Sequence, residues 1–243
     1  MARRKGEWGP DAVRRSVQRF LKLREEYLKV VENIHVKLVR GNVKTGVNCR
    51  SVSLLPVVDC PNCKECKWNC YDLRHDCIQK GCVNLRAQNS AIHLVDPERF
   101  WREIDEQVKA EFVTELRLNI GGDLSNGDFK FVSGLGEYNK RTDILFFTKN
   151  YTGCNWYIDE NIGWYPDNFG FPDNVHPIYS RWEGMKMYNP YGVPESHVRW
   201  ENGDTTAPEF GVYDCGGNCS ACHFYDEGCW VLKKGEHIVF DAH

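Results

Sequence analysis

The sequence predicts an α/β protein built on a parallel sheet, and three features carry that expectation. Short apolar, β-branched segments alternate with longer segments of helical period. A cysteine-rich loop follows the first of the apolar segments, at a strand end where α/β sheets present ligands. The composition, 42% hydrophobic and 27% charged over 243 residues, is that of a globular chain with a core of its own, not of a small scaffold held by cross-links.

Taken in order, Pro10 and Asp11 open a helix. Val17, Phe20, Tyr27, Val31, Ile34 and Leu38 then recur at helical spacing, with Arg24 interrupting the stripe, so the helix is predicted to reach about His35. Met1 to Arg40 holds eleven Lys or Arg against five Asp or Glu. Residues 1–40 therefore read as a basic amphipathic helical arm, either a solvated face or a surface for nucleic acid or an acidic partner. Gly41 and Gly46 bracket a turn, and Ser51 to Val58 reads as the strand that enters the cysteine loop. Helices are expected over Val83 to Leu94 and from Pro97, with Asp96 as cap. A strand over Glu115 to Ile120 stops at Gly121-Gly122-Asp123. A helix over Asp128 to Tyr138 and a strand over Asp143 to Thr148 follow. Tyr151 to Asn174 shows no period and reads as mostly loop with room for one short helix. Ile178 to Trp182, His197 to Trp200, Phe210 to Tyr213 and His237 to Phe240 are strand candidates. Residues 41–243 form one α/β domain with a cysteine segment over 214–230.

Cys60, Cys63, Cys66 and Cys70 are spaced C-x2-C-x2-C-x3-C, as in the loop by which bacterial ferredoxins turn thiolates onto iron. Cys215, Cys219, Cys222 and Cys229 form a second set, so the pattern points to two metal centres. Zinc more often takes two cysteine pairs across a long spacer. No secretory signal and no apolar run of membrane-spanning length occur, which places the chain in a reducing cytoplasm where clustered cysteines are metal ligands before they are disulfides. Cys49, Cys77, Cys82 and Cys154 are left as free thiols or as the ligands of a third cluster, and His75 and His223 as alternative ligands within the cysteine groups. Trp68, Tyr71 and Trp230 are shields for a cluster or ordinary core aromatics.

The motifs KTG at Lys44 to Gly46, DCP and CYD within Asp59 to Asp72, LRLNIGGD at Leu116 to Asp123, FFTKN at Phe146 to Asn150, the late CGGNCSAC with its Cys229-Trp230 ending, and the closing IVFDAH resemble the gene-product-88 family of phage and bacterial proteins. The resemblance spans roughly Lys44 to His243. That family is in turn distantly similar to radical S-adenosylmethionine proteins, which implies a partial (β/α) barrel holding a [4Fe-4S] cluster, and a host cytoplasm if the gene is phage-borne. It also implies that Gly121, Gly122 and Asp123 stand where such proteins hold the amino group of S-adenosylmethionine, although Asp replaces their Glu and Cys63 is an insertion.

Counting ligands separates the functions. Four cysteines saturate a cluster and make an electron carrier, whereas three leave an iron open to a substrate or to S-adenosylmethionine. Asp123, Asn119, Lys149 and Asn150 would then share the mouth of the site, with Asp123 and Lys149 as candidate catalytic groups; their plainer roles are a turn residue and a solvated strand end. A redox enzyme would need an electron donor. The rival reading is a metal-stabilised module that binds nucleic acid or protein without catalysis.

Overall fold

In a computed structural model of the chain, the described residues are 9–41, 46, 48–63, 66–70, 72–73, 80–200 and 202–241. They form a mixed α/β fold on an eight-stranded sheet: β1 (Val39–Arg40), β2 (Cys49–Val52), β3 (Glu115–Leu118), β4 (Asp143–Thr148), β5 (Val175–Ser180), β6 (Glu195–Arg199), β7 (Val212–Asp214) and β8 (His237–Asp241). The spatial order is β1-β2-β3-β4-β5-β6-β8-β7. All neighbours run parallel except β1, which is antiparallel to β2. Six helices lie among these residues: α1 (Pro10–Leu28), α2 (Lys80–Val95), α3 (Pro97–Ala110), α4 (Asp128–Tyr138), α5 (Tyr151–Asn161) and α6 (Cys219–Phe224). Among the described residues, no helix is long and apolar enough to cross a membrane.

Side chains alternate across each strand, and the two faces meet different partners. Leu116, Leu118, Ile144, Phe146, Val175 and Tyr179 turn toward α2 to α5, where Ile92, Phe100, Ile104, Phe129, Val132 and Ile158 complete the main core. The alternate residues Leu145 and Ile178 pack on Trp230 from the C-terminal segment, with Phe147 and Cys219, Cys222 and Cys229 around them.

The arm departs from its expected length. The helix ends at Leu28 rather than near His35, and Val31, Ile34 and Leu38 reach the main core from a short 3-10 turn and extended backbone. Polar side chains of α2 and α3 hold that segment: Glu103 accepts from Val36 N at 2.7 Å, Asn89 Oδ1 from Lys37 N at 2.9 Å, and Gln107 Nε2 donates to Val36 O at 3.0 Å. These bonds take backbone groups that a continued helix would need for itself. α1 packs along α2, where Val13 and Phe20 share a small core with Leu55, Leu73, Val83 and Ala87.

α5 extends the single short helix anticipated between Tyr151 and Asn174 to eleven residues. Asn150 caps it by accepting from Gly153 N. Its buried face is Tyr151, Cys154, Asn155, Tyr157 and Ile158, too mixed in polarity to give a hydrophobic period. The strand expected over Ser51 to Val58 is Cys49–Val52, after which the chain turns.

Asp128, at the first position of α4, draws three elements together. Its carboxylate accepts from His93 Nε2 and Trp101 Nε1, both at 2.8 Å, and from Ser125 N at 2.7 Å. Burial opposes its charge, but these donors outweigh that and hold its pKa below the usual carboxylate range. A depressed carboxylate stabilises the fold above its unfolded pKa of about 3.9 and loses that contribution as pH falls through the folded value. Asp128→Asn is expected to lower stability by about 1–3 kcal/mol at pH 7. In urea unfolding, the gap from wild type should shrink below about pH 4.

Candidate metal centre

The first cysteine group lies beyond the C-terminal ends of β2, β3 and β4. Leu54 N bonds to Gly121 O at 2.9 Å as the chain leaves β2, and Asp59 closes the next turn by accepting from Leu55 N at 2.8 Å. Its other oxygen takes Arg24 Nη1 at 2.9 Å, with both side chains largely buried. Arg24, the charged break in the α1 stripe, therefore fixes the entry to the cysteine loop. Asn62 Nδ2 donates to Lys149 O at 3.0 Å, tying the same loop to the end of β4. Cys63 N bonds to Cys60 O at 3.2 Å, and Cys63 and Cys66 bring their sulfurs to 3.9 Å.

A cavity of about 260 Å³ opens beside this loop. Cys60, Cys63, Cys66 and Cys70 line it together with strand-end residues that include Arg117, Asn119, Asp123 and Lys149. Asn119 adopts a left-handed backbone, φ 49°, and its buried Nδ2 has no hydrogen-bond partner among the described residues; the same holds for Arg117 Nε. Buried donors without acceptors are costly. The cavity wall thus lacks acceptors that a bound group would supply.

Asp123 and Lys149 are brought together as anticipated. The Asp123 carboxylate accepts from Leu124 N at 2.8 Å, Thr148 Oγ1 at 2.7 Å and Lys149 N at 2.8 Å, which joins the ends of β3 and β4. A carboxylate accepts about four such bonds, so about one position remains for a ligand. Burial raises the Asp123 pKa, with Lys149 the largest opposing influence. Burial works against the Lys149 charge, yet the Cys66 sulfur, Asp123, Tyr151 and the Cys60 sulfur prevail and hold the ammonium above its usual range. Gly121 and Gly122 have packing reasons to lack side chains. A Cβ at 121 would meet the Arg86 guanidinium at 2.6 Å, and one at 122, where φ is +80°, would meet Leu54 at 2.7 Å. Gly122 also borders the cavity.

The second cysteine group sits at the opposite ends of the strands. Ser220 Oγ donates to Glu115 Oε2 at 2.5 Å, and His223 Nε2 pairs with Asp143 Oδ2 at 2.7 Å, so α6 docks on the first residues of β3 and β4. Asn218 caps α6, and Trp230 Nε1 bonds to Cys219 O at 2.9 Å. A Cβ at Gly228, where φ is +61°, would lie 3.3 Å from Cys222 Sγ. Arg117 Nη1 donates to Cys219 Sγ at 3.4 Å. Burial disfavours its charge, but the Cys219, Cys229 and Cys49 sulfurs keep the guanidinium protonated.

The sequence pattern did not single out Arg117, nor link Cys49 to this group. Cys49 opens β2, fully buried, and its neighbours Cys219, Glu115 and Arg117 come from elsewhere in the chain; burial first, then Cys219, pushes its thiol up to about 12. Alternation placed Arg117 on one strand face but not which group it meets. Cys154 lies elsewhere, buried on α5, where burial pushes its thiol to about 12. Tyr71, His75 and Cys77 lie outside the described residues.

No protein-family model, curated protein or solved structure matches the chain.

Hydrogen bonds to Cys60 and Cys66, then burial, push the Cys63 thiol far above its ordinary range, and burial raises Cys70, Cys222 and Cys229. Metal must displace those protons. Zinc or ferrous-ion binding by metal-free protein should therefore tighten from pH 6 to pH 8, by up to about tenfold per pH unit for each proton released in a competition titration. Arg24→Met should expose the first group selectively: in timed alkylation read by mass spectrometry, Cys60 and Cys63 react faster than in wild type, while Cys215, Cys219, Cys222 and Cys229 keep their rates.

Proposed function

We propose that this chain is an iron-sulfur protein of radical S-adenosylmethionine-like architecture, its sheet forming a partial (β/α) barrel around the cavity. Cys60, Cys63, Cys66 and Cys70 would hold one [4Fe-4S] cluster, and Cys215, Cys219, Cys222 and Cys229 an auxiliary one. The reading rests on one observation: two separate four-cysteine groups, each accompanied by a cation drawn from the sheet, Lys149 for the first and Arg117 for the second. Clusters ligated by thiolates carry net negative charge, and a neighbouring cation offsets the penalty of burying it. Bound clusters supply one-electron transfer, and one with an open iron also supplies a seat for amino and carboxylate groups.

The residues of the chain do the rest. Lys149 holds positive charge beside Cys60 and Cys66, and Asn119 Nδ2 offers a buried donor to an acceptor in the cavity. Asp123 keeps the two strand ends in register and has one acceptor position left for an ammonium such as that of S-adenosylmethionine. Arg117 lines the cavity and donates to Cys219, linking it to the second group. The four residues of β3 span about 13 Å at roughly 3.3 Å each, so the two groups are separated by little more than one short strand.

Anaerobically purified protein is expected to be brown and to carry about eight irons and eight sulfides per chain. Cys60→Ala and Cys222→Ala should each remove about half of the iron. Colourless protein with stoichiometric zinc would overturn the reading. Cys63→Ala decides the ligand count of the first cluster: retained iron marks three-cysteine ligation and an enzyme that binds S-adenosylmethionine when reduced, and lost iron marks a saturated electron carrier.

A further inference from the structure

A third group of ligating side chains, on β6 and β8, contains no sulfur. Glu195 and His197 stand two apart on β6, so they share one face of the strand, and His237 on β8 lies beside Glu195 in the parallel register. Glu195 and His197 are buried and His237 is partly so. Glu195 pairs with Tyr179, whose side chain turns to the main core, so the trio stands on that face of β6, with His197 also touching the cavity that Ser196 and Val198 border.

The three ligand atoms are His197 Nε2, His237 Nδ1 and Glu195 Oε2. The two nitrogens are 2.9 Å apart, and the oxygen is 3.7 Å from the first and 3.8 Å from the second. The point equidistant from all three lies about 2.0 Å from each, which is the bond length of a first-row divalent ion to imidazole and carboxylate. An ion about 0.5 Å off that plane would have bonds near 2.1 Å and an apical position for water, the arrangement of a three-ligand site kept open.

The surroundings are those of a site whose ligands are already oriented. Thr206 Oγ1 is 2.9 Å from His197 Nδ1, which leaves Nε2 for the ion when Nδ1 carries the proton. Asn189 Nδ2 donates to Glu195 Oε1 at 3.1 Å, and Arg181 Nη1 lies 3.2 Å from Oε2. Arg181 occupies a second lone pair of the oxygen that would bind the ion, and its side chain is partly exposed. Two imidazoles and one carboxylate suit zinc or ferrous iron and disfavour a soft ion such as Cu(I).

We propose that Glu195, His197 and His237 bind one divalent transition-metal ion of the zinc or ferrous-iron class, independent of whatever the cysteines hold. The test is a Co2+ titration of the full chain, stripped with chelator, comparing wild type with Glu195→Gln, His237→Ala and Thr206→Val. Glu195→Gln is isosteric and Thr206 is exposed, so both spare the fold. Wild type is expected to bind one equivalent more than Glu195→Gln and His237→Ala, and the missing ion should lack the sulfur-to-cobalt charge-transfer band that marks thiolate sites. Thr206→Val should bind that ion about 10–100-fold more weakly, as expected when the hydrogen bond orienting a metal-bound imidazole is lost. Equal stoichiometry and affinity in all four proteins, or a missing ion that carries the thiolate band, would overturn the proposal. Cobalt bound to cysteine is recognised by its own absorption, so neither result depends on the iron-sulfur reading.

Discussion

Side chains on a strand point alternately to two sides, and in this sheet that geometric rule divides labour between packing and chemistry. On β4, Ile144 and Phe146 turn to the helices, while Leu145 and Phe147 turn the other way toward Trp230 and the cysteine segment. Lys149, two residues beyond Phe147, reaches the cavity on that same side. On β3, Leu116 and Leu118 are core, whereas Arg117 and Asn119 line the cavity. A register slip of one residue would exchange the two sets, putting a guanidinium into the main core and leucines beside the thiols. The parallel pairing of β2, β3 and β4 is thus what both cysteine groups depend on.

Charge placement follows from that division. Arg117 and Lys149 are each opposed by burial and supported by sulfur-bearing neighbours, so their charge is tied to the cysteines around them. Arg24 plays a related part from outside the sheet, where its pairing with Asp59 joins α1 to the loop. Buried pairs of this kind add little net stability, since taking both charges out of water offsets much of their attraction.

Much of this was legible in the residues themselves. DILFFT, LRLNI and the helix after Asp96-Pro97 announce themselves because packing there obeys one period over a whole element. The cysteine spacings isolate the same two groups that the fold sets at opposite strand ends. Legibility fails where partners distant in sequence decide the outcome. The stripe past Leu28 keeps its helical spacing, yet Glu103, Asn89 and Gln107 claim the backbone there. Cys49 and Arg117 acquire meaning only beside Cys219. Glu195 and His197 could be placed on one face by alternation, but His237 joins them through a strand pairing that no local pattern encodes.

The position of β8 has a consequence for the order of assembly. Among the described residues β7 pairs within the sheet only through β8, which inserts between it and β6 although it follows both in the chain. Cys215 N, just past β7, likewise bonds to Val239 O. As the protein emerges from the ribosome, the loop that begins at Cys60 can settle against β2, β3 and β4 long before Cys215 has anything to lean on. The group near the strand starts is therefore completed late, and a nascent chain halted before His237 would carry the first cysteine loop in place, its cavity lacking only the Phe240 wall, and an unassembled second group.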